Sequence, residues 1–310
     1  MRRLISFLFF LQVFSFLSQG ADYYVSTTGS GIGTNWSTAY TNIQTALNTA
    51  RSNDTIYLAG RSFNLSSALS WTGLASHVAV HGGYAATNDS GLPGNRDINK
   101  WETIITRPSG SFRLLNVTFV TNGTIEGVRL TKGSIVSGST HVFGGAVLIS
   151  NCVNFTIGSS VLASNQVASS GWHAFGYGGG IAALNSSVTL TNNLFTRNQA
   201  LANGDFTSDT GYGGGIYVSG GVMYVFNCRF AYNIADNAGS PRVGRGGGAS
   251  VSSGSIIFRN CLFHANRAYS NGDGLYVSGG TVQLNYCTVA RHSDDGIYRS
   301  SGTVSIMTLS

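Results

Sequence analysis

Asp273 and Asp295 are the pair of side chains best spaced to do chemistry together, because each immediately precedes a glycine that recurs in a repeated unit. Stacked one unit apart, their backbones would lie about 4.8 Å from each other. Carboxyl groups that close approach the separation used by retaining glycosidases, and they could instead share a calcium ion. Aspartate is also a favoured turn residue, which gives both positions a purely structural reading. No other cofactor is implied.

A second group consists of Trp172, His173, Tyr177, Tyr212, Asp205, Asp209 and Asp236, with Phe175 and Phe206 beside them. Aromatic rings next to aspartates suit the recognition of sugars, and exposed rings anchor protein contacts. Tyr177 and Tyr212 could equally cover the glycines that follow them. His264 and His292 have no evident partner for acid–base work.

The units that would position these residues are set by a fixed interval. Gly180 is followed eighteen positions later by Asn198, Gly215 by Asn233, Gly248 by Asn266, and Gly274 by His292. The return from each asparagine to the next glycine is variable, at 17 residues from Asn198 to Gly215, 15 from Asn233 to Gly248 and 8 from Asn266 to Gly274. Constant cores joined by variable connections indicate a solenoid.

Aligned on the glycines, one column reads Ile181, Ile216, Ala249 and Leu275, and a second reads Val188, Met223, Ile256 and Val282. A third reads Leu190, Val225, Phe258 and Leu284, and a fourth Phe195, Phe230, Phe263 and Val289. The alternation within each unit has period two, so each unit holds three short strands with one buried face, separated by Ser/Gly/Asn turns. Strands this short bury nothing as hairpins. Coiled so that each unit lies on the last, they predict an all-β, right-handed, single-stranded parallel β-helix. At its turn Asn165, Asn198, Asn233 and Asn266 would stack, where asparagine tolerates left-handed backbone and can hydrogen-bond along the column.

Four segments follow. Residues 1–20 read as a secretory signal peptide, from the basic start, the apolar run and the small residues Ser18 and Gly20. Residues 21–73 read as an N-terminal cap with the first strands, including a helix from Ser37 to Arg51 with Ile43, Ala46, Leu47 and Ala50 on its apolar face and Ser37 or Thr38 at its start. Residues 74–142 are irregular rungs, and 143–310 are regular ones. Arg299 stands where earlier units carry an inward valine, so the last rung is expected to fray or to pack on a further segment or another chain.

Removing Arg2 and Arg3 with the leader lowers the formal charge from +6 to +4. The basic balance reflects scarce acids, and nucleic-acid binding has little support. No later stretch is long and apolar enough for a membrane helix. Cys228, Cys261 and Cys287 share a column, with Asn193 and Ser160 in earlier units; they read as stacked buried thiols or, in an oxidising compartment, as disulfide partners. Eight N-x-Ser/Thr triplets begin at Asn35, Asn53, Asn64, Asn88, Asn116, Asn122, Asn154 and Asn185. Chance alone gives roughly five, so glycosylation has weak support.

The steps Phe143-Gly144-Gly145-Ala146-Val147, Tyr177-Gly178-Gly179-Gly180-Ile181 and Tyr212-Gly213-Gly214-Gly215-Ile216 resemble the G-G-A-I element of chlamydial polymorphic outer-membrane proteins. Phe195 to Asn198, Phe230 to Asn233 and Phe263 to Asn266 resemble their F-x-x-N element. More broadly the chain is similar to secreted β-helix proteins of the pectin-lyase-like group. That resemblance implies a secreted or surface-displayed rod. The outer-membrane proteins end in a membrane barrel, which is not seen after Ile306. Polygalacturonases of the pectin-lyase-like group carry N-T-D, D-D, G-H-G and R-x-K elements, of which only Asp294-Asp295 is present. Enzymatic action is therefore set behind binding. Three functions stay open: adhesion to a glycan or surface protein through the variable edge, a polysaccharide lyase or glycoside hydrolase, and a passive surface rod.

Overall fold

The computed structural model describes residues 20–73, 75–87, 91–139, 141–171, 173–202, 209–237 and 243–307. Residues 1–19 of the leader, Trp172, Asp205 and Phe206 lie outside them. Within them the backbone coils into four parallel sheets of 16, 8, 5 and 4 strands, each strand paired with its counterpart in the next turn of the coil. This is a parallel β-helix.

Like residues do lie over like. Ile181 pairs in register with Ile216, Val188 with Met223 and Leu190 with Val225. The columns continue through Ala249 and Leu275 and through Ile256, Phe258, Val282 and Leu284. All of these side chains are buried at 0–1% exposure. Ile306 tops the Leu284 column and is 61% exposed, because no further turn among the described residues covers it.

Four expectations need correction. The first two strands of a unit are not always separated by a turn: Ile181–Thr191 and Ile216–Phe226 each run as one strand. Left-handed residues, Asn185 in one and Gly220 and Gly221 in the other, interrupt the pairing at one position without shifting its register.

The variable return paths are not merely loops. They carry Gln166–Ser169, Gln199–Ala202 and Ile234–Asn237 of the 5-stranded sheet. They also carry Phe175–Tyr177, Thr210–Tyr212 and Gly244–Arg245 of the 4-stranded sheet. Val142, Val167 and Ala200 pack a second, smaller core in this side wing. The wing sheets can approach closely because glycine faces backbone: a Cβ on Gly211 would sit 2.0 Å from the Ala200 carbonyl oxygen.

The stacked asparagines do not adopt left-handed backbone. That geometry falls one residue earlier, at Ser164, Arg197, Tyr232 and Ala265, and at the preceding corner on Asn192, Asn227 and Asn260. Asn198, Asn233 and Asn266 turn their carboxamides inward, at 0–2% exposure. The Nδ2 of Asn165 donates to Asn198 Oδ1, that of Asn198 to Asn233 Oδ1, and that of Asn233 to Asn266 Oδ1, each at 2.9 Å. Each Nδ2 also donates to a backbone carbonyl, on Leu130, Leu162, Phe195 and Phe230 in turn. A buried amide must have partners, and here the next rung supplies them. Phe195, Phe230 and Phe263 stack beside the ladder, with centroids 4.8 Å apart and planes within 9°.

The helix spans Ile43–Thr49, with Asn42 as its N-cap and the Asn42 side chain accepting from Gln44 N–H. Neither Ser37 nor Thr38 caps it, because Asn35 Oδ1 accepts from Thr38 N–H and Ser37 Oγ and holds that stretch as a turn. Arg51 lies past its end, its N–H donating to Asp54 Oδ2. Ile43 and Ala46 are buried in the main core.

Candidate functional site

The glycine step fixes the corner at which the wing meets the main sheet. Gly178 has φ +70°, and a Cβ there would sit 2.1 Å from the Ile181 carbonyl oxygen, so a side chain is excluded on both counts. Immediately before the corner, Phe143, Tyr177, Tyr212 and Arg245 stand in one register on successive turns. Phe143 and Tyr177 stack at 4.7 Å and 12°, Tyr177 and Tyr212 at 5.3 Å and 11°. Just beyond the corner, Tyr217 and Tyr276 point away from the main core; Tyr217 leans on Tyr177 with centroids 4.6 Å apart. His141 lies parallel to Phe175 at 5.2 Å, with Nδ1 3.2 Å from the Tyr177 hydroxyl.

Arg245 closes this aromatic column. Its guanidinium carbon lies 5.7 Å from the Tyr212 ring centre and 5.5 Å from that of Tyr276, and Nη1 donates to the Tyr212 hydroxyl at 2.9 Å. Arg245 Nε and the Ser250 hydroxyl are buried with no hydrogen-bond partner. Such groups are uncommon in folded proteins. Burial pushes the Tyr177 and Tyr217 phenols up, so both stay protonated and able to donate.

Of the residues singled out in the sequence, Tyr177 and Tyr212 belong to this corner. His173 is exposed. Asp209 and Asp236 are buried, at 0% and 5% exposure. Asp209 Oδ1 accepts from Ala174 N–H at 2.7 Å, tying neighbouring turns of the wing.

Asp273 is 1% exposed. Its Oδ1 accepts from Ala268 N–H at 2.6 Å, and Oδ2 accepts from Ser293 Oγ and Asp294 N–H, both at 2.8 Å. Asp295 stands one rung on, its carbonyl accepting from Asp273 N–H at 2.7 Å, and its side chain is exposed. Thus the backbones stack, while Asp273 Oδ1 serves its own return path and Oδ2 ties it to the next one. The position is held by glycine in earlier units, where Gly247 faces the Arg267 backbone; aspartate enters where the shortened return path no longer puts a wing behind it. No group of three or more His, Cys, Asp and Glu able to hold a metal ion occurs among the described residues.

Sequence reasoning missed a polar group near the other end. Tyr24, Tyr57, His81 and Glu126 form one outward column. His81 Nδ1 lies 2.9 Å from Glu126 Oε1, and Arg96 Nη1 lies 2.7 Å from the same oxygen. Arg96 Nε also donates to the Gly82 carbonyl. Only the paired glycines Gly82-Gly83 hinted at it.

Burial lowers the affinity of the His81 imidazole for a proton, outweighing Glu126. Burial would raise the Glu126 carboxyl, but the charges of His81 and Arg96 bring it below its ordinary value. Both groups therefore bind protons more weakly folded than unfolded. Stability is complete above the unfolded imidazole value of about 6.5 and falls as the solution is acidified. Thermal unfolding followed from pH 7 to pH 5 should show this decline, reduced in His81→Gln; an equal decline in that variant would contradict it.

The molecule is thus a parallel β-helix protein with an aromatic corner along one edge. No family model matches the chain, and no curated protein matches it. Among solved structures, it is similar to the crystal structure of pectate lyase Pel9A, with 13% identity and a TM-score of 0.45, over 92% of this chain and 80% of that one. A rhamnogalacturonan lyase is matched at 11% identity and a TM-score of 0.37, over 92% of this chain and 87% of that one. The fold stands on the strand registers, and no residue role passes across these likenesses. Among the described residues no helix is long and apolar enough to cross a membrane, which says nothing of membrane barrels.

Proposed function

We propose that the protein is exported and binds a glycan at a surface through the corner formed by Tyr177, Tyr212, Tyr276 and Arg245, with adhesion as its role. The observation that carries this is the Arg245 guanidinium set against Tyr212 and Tyr276, at the end of an aromatic column built outside the main core. A rigid stack of sheets presents such a corner with little ordering cost on binding. The rings cover one another's faces, so a ligand meets ring edges, hydroxyls and a guanidinium. That chemistry suits an acidic glycan better than a neutral one. Chemistry at Asp273 is disfavoured because both carboxylate oxygens already accept from protein donors.

A glycan array probed with the parent protein and with Arg245→Ala tests the proposal, with circular dichroism as the fold control. The expected result is retention of acidic glycans by the parent and at least about tenfold weaker binding by the variant, or 1.4 kcal/mol. Equal binding by a folded variant would remove the corner from the account. Cleavage of an acidic polysaccharide by the parent would instead establish an enzyme.

A further inference from the structure

Cys228, Cys261 and Cys287 stand on three successive turns of the coil, each one residue before a strand of the 8-stranded sheet: Arg229 pairs with Leu262, and Leu262 with Thr288. None is in a regular strand pair. Each follows a residue with left-handed backbone, Asn227, Asn260 and Tyr286, so the three occupy equivalent corners. Their sulfurs also share one orientation, donating to the carbonyl two residues earlier, on Phe226, Arg259 and Asn285, at 3.3–3.4 Å. Equivalent side chains on neighbouring turns lie about one rung apart, which is inside the Cα range that a disulfide spans.

The column is not uniform. Cys228 and Cys261 are buried, at 2% and 3% exposure, while Cys287 is half-buried. Cys228 is occupied on its other side, its sulfur accepting from Asn193 N–H at 3.4 Å. The Cys261 side chain lies against Cys287, and its influence brings the Cys287 thiol below its ordinary value. A thiolate is the attacking form in exchange, so the less buried member of the pair is also the activated one.

We propose that Cys261 and Cys287 are a redox-responsive pair that a small-molecule disulfide converts into a bond stapling the last two turns of the coil. The Cys287 thiolate attacks one sulfur of the reagent, forming a mixed disulfide and releasing one thiolate. Cys261 gives up its proton and attacks the Cys287 sulfur, and the second reagent thiolate leaves. Two protein thiols are oxidised and one reagent disulfide is reduced to two thiols. Closing the loop from Cys261 to Cys287 restricts the unfolded chain and should slow fraying of the turns around Leu275 and Leu284.

The full chain, reduced and then treated with oxidised glutathione, is digested with trypsin without reductant and mapped by mass spectrometry. The expected product joins the peptide holding Cys261, after Arg259, to the one holding Cys287, before Arg291, at a mass lower by two hydrogens than the separate peptides. Cys152 and Cys228 should then be the only thiols that alkylate after unfolding. Cys228→Ser should leave the cross-link unchanged. A lasting glutathione adduct on Cys287, a link from Cys261 to Cys228, or free alkylation of both Cys261 and Cys287 would each overturn the proposal. Because the mapping uses the unaltered protein, the result does not depend on any variant folding.

Discussion

Asn233→Leu should destabilise the protein by about 3–5 kcal/mol, from the cost of leaving several buried polar groups without partners. The Asn233 side chain donates to the Phe195 carbonyl and to Asn266 Oδ1, and accepts from Asn198 N–H and Asn198 Nδ2. Leucine keeps the γ-branched outline and the number of side-chain heavy atoms, but its methyls are larger, so some overpacking cost adds to that of the lost hydrogen bonds. With Asn233 at 0% exposure, no water can take over. Urea unfolding followed by circular dichroism measures the change. A loss below about 1 kcal/mol, the scale of a single ordinary hydrogen bond, would mean the ladder is ornamental. Asn192→Ala, at an exposed corner, is the matched control and should cost far less.

Phe230→Ala is expected to cost a similar amount for a different reason. Its ring is sandwiched between Phe195 and Phe263 at 4.8 Å on each side and meets Phe258 edge-on at 6.1 Å. Truncation leaves a void that neighbours cannot fill, since each is held in register by its own strand. Losses of about 3–5 kcal/mol are typical of buried phenylalanine. Coiled repeats can unfold in parts, so hydrogen exchange should show the turns on both sides of Phe230 opening first. Uniform loosening along the whole coil would indicate that the turns are not energetically local.

Much of this was legible because a coil repeats its environment. Ile216, Val225 and Phe230 could be assigned inward positions from alternation alone, and their registers follow from the fixed eighteen-residue interval. The wing was hidden, since its inward residues, Ala200, Ala202 and Ala235, are small and its central glycines lack the alternation that marks a strand. Hydrophobic periodicity has nothing to report where backbone packs on backbone.

The polar residues were harder to place. Asp209, Asp236 and Asp273 sit in segments that look like turns, yet they are buried. Asp209 and Asp273 accept backbone N–H groups that the irregular path leaves unpaired. Composition cannot separate an acid that satisfies the backbone from one that awaits a ligand. Arg245 was not singled out because its significance depends on Tyr212 and Tyr276, one on an earlier turn and the other on the next. Similarly, His81, Arg96 and Glu126 meet only because the coil brings distant segments together. The motif spacing located the asparagines, but which residue of the turn takes left-handed backbone was set by the inward hydrogen bonds of the carboxamide.

The most direct test is solvent exchange of asparagine side-chain amides, resolved by NMR. The account predicts that the Nδ2 protons of Asn165, Asn198, Asn233 and Asn266 exchange only when the coil opens, orders of magnitude slower than those of exposed Asn64. Exchange of the four at the rate of Asn64 in the folded protein would contradict a ladder running turn to turn, and with it the stacked parallel coil on which the corner and the cysteine pair depend.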